Sequence, residues 1–275
     1  MPQETLEARL EVGRGPLAEI FPQFEPSTLQ EANEIMALRK SMPEIKSEWL
    51  WTADFSMYRV EGEDTFLYFA PKEYNLIFRD IKNATSQLLK TDNYFPSKEG
   101  INEVVAAANS GKAIKIKISD LQLVKDNDEY GHFDVDPDNL DSLNDAQRSF
   151  VKTVYGNSKP GNRVYVLTSD YVKEQLKGKE DSAIARASGL GGADDGSRFD
   201  ARDSVVGFAG YGLLGVLKEA PKAPQKIEDR KTIDYASVFE QARINPHEAV
   251  KHLTPETASG LLNVVNLFYA PNRKA

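Results

Sequence analysis

The side chains best suited to chemistry crowd one acidic segment. Asp134, Asp136, Asp138, Ser142 and Asp145 put oxygen-bearing groups at positions 1, 3, 5, 9 and 12 of a twelve-residue stretch, the ligand order of a calcium-binding loop. A hard divalent cation needs that density of oxygens, and Ca2+ is the only cofactor the residues suggest. The stretch departs from the pattern where Asn139 replaces glycine, where Asp141 takes the usual apolar position, and where Asp145 is shorter than the customary glutamate. A second reading is a solvated turn, with Asp141 or Ser142 capping the following helix and Asp145 placed favourably at its positive end.

His132 lies between Asp128 and Asp134. A carboxylate neighbour would help it hold a proton and a metal would recruit its imidazole, whereas an ordinary surface-loop histidine does neither. His247 and His252 stand five apart, about 140° around a helix, so they do not share a face as a zinc pair spaced by four does. The glycines from Gly189 to Gly196 do not make a dinucleotide fingerprint, because neither a preceding strand nor a helix starting within them is legible. Ser110, Gly111 and Lys112 lack the leading glycine and the trailing hydroxyl of a phosphate-binding loop. No Gly-x-Ser-x-Gly elbow occurs. The absence of cysteine removes thiol nucleophiles, disulfides and thiolate-bound zinc.

Residues 178–203 hold glycine, aspartate and serine with few large apolar side chains, which predicts a mobile loop. Arg186, Arg198 and Arg202 would reach an anionic ligand from it.

The elements that must position these groups follow from periodicity. A helix is predicted over 28–41, then a half-buried strand over 49–58 in which Trp51, Ala53, Phe55 and Met57 alternate with polar residues. Turn residues 61–64 join it to a strand at 65–70 as a hairpin. Ile77, Ile81, Ala84 and Leu88, then Ile101, Val104, Val105 and Ala108, give two amphipathic helices. Strands are predicted at 112–119, with a basic solvent face, and at 163–168. The glycine-rich run 205–217 reads as a core strand with a bulge or tight turn, or as a close approach to a ligand. The prolines and charges of 218–232 read as a linker, and residues 233–275 as a helical annex.

The chain has 275 residues, with 42 acidic against 34 basic side chains and a net charge of −8, which argues against a general binder of nucleic-acid backbones. The longest apolar run is well short of the roughly 20 residues that span a bilayer, and the first residues lack the basic-then-apolar order of a secretory signal. A cytoplasmic protein off the membrane is the resulting expectation. The fold class is α+β: a mostly antiparallel sheet packed by helices in a main domain over 1–217, followed by the linker and annex. Surface, loops and annex without a convergent catalytic set predict a binding or assembly protein, with a protein partner or self-assembly. The alternative is a metal-dependent hydrolase or transferase using the acidic segment with His132. Whether the chain is an enzyme stays open.

Overall fold

The alternation around Trp51 forms a strand longer than its pattern suggests, because it is buried on both faces and so carries its own sequence through the middle of the molecule. The computed structural model describes residues 10–135, 143–155, 162–179, 181–191, 199–203, 206–207 and 210–218. Within them run β1 (Leu10–Arg14), α1 (Leu17–Ile20), α2 (Ala32–Leu38), β2 (Leu50–Glu61), β3 (Asp64–Ala70), α3 (Leu76–Arg79), α4 (Ile81–Thr91), α5 (Lys98–Asn109) and β4 (Ile114–Lys117). Then follow β5 (Val124–Lys125), β6 (Tyr130–Val135), α6 (Asp145–Tyr155), β7 (Asn162–Leu167), α7 (Ser169–Leu176), β8 (Ile184–Leu190), β9 (Phe199–Asp203) and β10 (Gly212–Val216). Residues 219–232 of the predicted linker and the whole annex lie outside the described residues.

The sheet order is β1-β10-β2-β8-β9-β7-β6-β5, with β3 paired to β2 and β4 to β3. The α+β class is as expected, but the sheet is mixed rather than mostly antiparallel: β10 runs parallel to β2, and β7 parallel to β9. Trp51, Ala53, Phe55 and Met57 pack beneath Ile77, Leu88, Ile101 and Val104 of α3, α4 and α5. Leu50 and Tyr58 join a second core with Ile35, Phe69, Phe150, Val164 and Phe199. The 61–64 hairpin is present, its two-residue turn opening on Gly62 at φ +62. The basic face of β4 is not free: Lys115 bonds Glu61 at 2.5 Å and lies over the Phe66 ring, and Lys117 pairs with Asp64.

Two elements differ from their sequence patterns for clear reasons. The helix predicted over 28–41 is confined to 32–38, because the run before it is held extended: Gln30 N–H donates to Leu214 O, and Gln30 O accepts from Ala53 N–H. The capping box is therefore Glu31 with Glu34. The stretch 178–203 is not a loop throughout. It contains β8, buried along its whole length and paired with β2 and β9, because small residues such as Ala185, Ala187 and Gly189 are what the large side chains of β2 leave room for. In β10 a Cβ at Gly212 would lie 2.6 Å from a Val12 methyl, so the close neighbour there is core rather than ligand. Among the described residues no helix is long and apolar enough to cross a membrane.

Candidate functional site

Opposite β8, strand β2 carries a bulge. Trp51 pairs with Gly189 and Phe55 with Ala187, so β2 advances four residues while β8 advances two. The freed backbone is taken up locally, with Ala53 N–H donating to Gln30 O at 2.9 Å and Asn75 Nδ2 donating to Ala53 O at 2.6 Å. Asp54 is thereby turned toward the start of α2. Its Oδ2 accepts the Ala32 N–H at 2.9 Å and its Oδ1 accepts the Thr52 hydroxyl.

Asp54 is 1% exposed, yet it lines a cleft of about 210 Å³ together with Glu31, Phe69, Lys112, Ile114 and Ser149. These come from the approach to α2, from β2, β3 and β4, from the turn after α5, and from α6. Lys112 and Ser149 are exposed, so the cleft opens to solvent, and the buried Asp54 belongs to its lining. Burial pushes the Asp54 carboxyl up to about 7, with the nearby Glu31 and Glu34 adding to the rise and its two hydrogen bonds opposing it. Burial also raises Glu31, against the pull of the Lys72 N–H that bonds Glu31 Oε1 at 2.8 Å. Two carboxyls held above their usual range around one cleft are the pattern that functional sites build. Chemically, the arrangement can exchange a proton near neutrality or pair with a cation.

The residues expected to bind ligands sit elsewhere. Asp134 ends near the edge of the sheet on β6, 60% exposed and 3.2 Å from Arg163, while Asp145 is exposed at the start of α6. Asp136, Asp138, Ser142 and Arg198 lie outside the described residues, as do His247 and His252. His132 is not on a loop but on β6, buried beside Tyr165, with Nδ1 2.8 Å from Asp126 and Nε2 3.9 Å from Asp134. Among the described residues no group of three or more histidine, cysteine or acidic side chains is arranged to hold a metal.

Arg186 sits on buried β8, 1% exposed. Its guanidinium donates to Asn93 Oδ1 twice, to Tyr171 OH, to Glu129 Oε1 and to Arg202 O, so its donors are already engaged within the fold. Arg202 lies over the Tyr130 ring at 3.6 Å and pairs with Asp200 at 3.2 Å.

Sequence reasoning missed Asp54 and Glu31. Thr52, Asp54 and Ser56 alternate with apolar residues exactly as a solvated strand face does, and only the bulge and the packing of α2 and α6 place them inside. One signal was available: an aspartate at the centre of an aromatic-rich strand, where that residue type is depleted.

No protein-family model matches the chain, and no curated protein matches it. A solved structure described as "Accommodation of massive sequence variation in Nanoarchaeota by the C-type lectin fold" is similar over 75% of this chain and 96% of that one, at 11% identity and a TM-score of 0.44. A likeness at that level assigns neither a family nor a function, and the site stands on its own geometry.

Proposed function

We propose that this protein binds a small molecule in the cleft that ends on Asp54. The observation that carries the reading is the convergence of distant segments, one of them bearing a buried carboxyl, on one cleft that opens to solvent. The cleft offers recognition groups: a buried carboxyl, a half-buried carboxylate at Glu31, an exposed lysine, and an apolar wall from Phe69 and Ile114. At about 210 Å³ it falls below the roughly 300–1,000 Å³ of drug-sized sites, so the ligand is small. A fragment set followed by ligand-observed NMR tests this. Ser149 is exposed and lines the cleft, so Ser149→Trp fills it with little effect on the core. Hits on the parent should vanish in the variant; a set in which none is lost removes the cleft as the site.

A second reading concerns the acidic segment, and one observation favours it: Asp134 and Asp145, its first and last positions, both face solvent. In this reading Asp134, Asp136, Asp138, Ser142 and Asp145 take a calcium ion that orders the segment. Calcium-dependent melting, with Asp134→Ala as control, checks it.

A further inference from the structure

Resting on the cleft reading, we infer that the group the cleft accepts is a primary ammonium, which ion-pairs with Asp54 and sends that carboxyl's proton to solvent. The ground is an imbalance of charge at the buried end. Both described donors to Asp54, the Ala32 N–H and the Thr52 hydroxyl, are uncharged. The charges that act on it, Glu31 and Glu34, are of the same sign.

The cations on neighbouring elements are placed differently. Lys72 lies 3.5 Å from Glu34 and donates to Leu29 O at 3.2 Å, with Glu73 next to it in sequence. Lys112 is exposed. On α6, Asp145, Arg148 and Lys152 line a separate shallow depression that shares only Ser149 with the cleft. A buried carboxylate without a cation is costly, and burial accordingly raises the Asp54 carboxyl to about 7, so that it holds its proton below neutrality.

An entering R–NH3+ supplies the missing charge and three N–H donors, enough for Asp54 and Glu31 together. The carboxylic acid becomes a carboxylate, the ammonium keeps its three protons, and one proton leaves to water. Phe69 and Ile114 suit a short alkyl chain behind the ammonium. An anionic head would meet the Asp54 and Glu31 carboxyls, with only the exposed Lys112 to attract it.

Butylamine is the probe, with 1-butanol and butyrate as matched shapes of other charge, titrated calorimetrically into the full chain from about pH 5.5 to about 8. Affinity for butylamine should rise about tenfold per pH unit below neutrality, then level off. Two buffers of different ionisation enthalpy should report one proton released at the acid end, which needs no variant. Butanol and butyrate should bind at least about tenfold more weakly, and Asp54→Asn should weaken butylamine as much and flatten its pH dependence. Binding that ignores pH, butanol or butyrate binding equally well, or no butylamine binding overturns the inference. If fragments of other charge are still lost in Ser149→Trp, the cleft reading survives that outcome; if none is lost, both fall.

Discussion

Arg186 and Asp54 are equally buried, each 1% exposed, and on strands that pair with each other, yet their surroundings are opposite. Around Arg186 the fold supplies an acceptor for every side of the guanidinium, including the Glu129 carboxylate and the Arg202 carbonyl. Around Asp54 it supplies two neutral donors, two further acidic groups and a cleft. A buried charge whose partners are all internal belongs to the architecture. A buried acid that has only neutral donors, and that lines a cleft open to solvent, is set to receive a cation.

The largest effect expected is at Arg186. Arg186→Met leaves the buried Asn93 Oδ1 and the Arg202 carbonyl without their donor, and at about 1–3 kcal/mol for each it should destabilise the chain by about 2–5 kcal/mol in urea unfolding. A loss under about 1 kcal/mol would show that the network is not structural.

Asp54 should behave in the opposite way. Its folded value, about 7, lies above the roughly 3.9 of an unfolded aspartate, so between the two the folded state holds more protons. Its contribution is complete below the unfolded value and is lost as pH rises through about 7, at no more than about 1.4 kcal/mol per pH unit. Glu31, also raised, acts with the same sign. The stability of Asp54→Asn relative to the parent should therefore increase from about pH 5 to about pH 8 in paired urea melts. A difference that stays constant or shrinks breaks the contrast with Arg186.

The exposed Asp134 extends the comparison to a carboxylate at the surface. With a dissociation constant on the order of 10⁻³ M, about 10 mM calcium should stabilise the parent by about 1.4 kcal/mol, and Asp134→Ala should abolish the gain. An unchanged melting temperature relative to chelator removes the cation loop. The smallest effect belongs to the support of Arg186. Thr168 accepts the Tyr171 N–H at the start of α7, the helix that carries the Tyr171 hydroxyl to Arg186, and Thr168→Ala should cost about 1 kcal/mol in the same assay. No change on substitution would mean that the backbone bond from Thr168 N–H to Glu129 O holds the turn without the hydroxyl.

Where one face of an element is buried, its pattern was legible. Ile81, Ala84 and Leu88, and Ile101 and Val104, place α4 and α5, and the turn chemistry at 61–64 places the β2–β3 hairpin. Legibility failed where a strand buried on both faces is built from small residues. β8 reads as a loop because its alanines, serine and glycine are sized by Trp51, Phe55 and Met57 on the neighbouring strand, which no local window contains. The parallel pairings of β10 with β2 and of β7 with β9 are invisible for a related reason, since alternation within a strand says nothing of its neighbour's direction. The cleft needs six parts of the chain to meet, and the polar face that supplies Asp54 looks solvated until α2 and α6 cover it.

The central claim is that Asp54 is a carboxyl waiting for a cation, and carbon-detected NMR of the aspartate side chains across a pH titration tests it most directly. One aspartate should titrate near 7, its signal should be missing from Asp54→Asn, and butylamine should move its midpoint down. A titration in which every aspartate of the parent ionises in the ordinary range below about 5, with or without butylamine, contradicts the account.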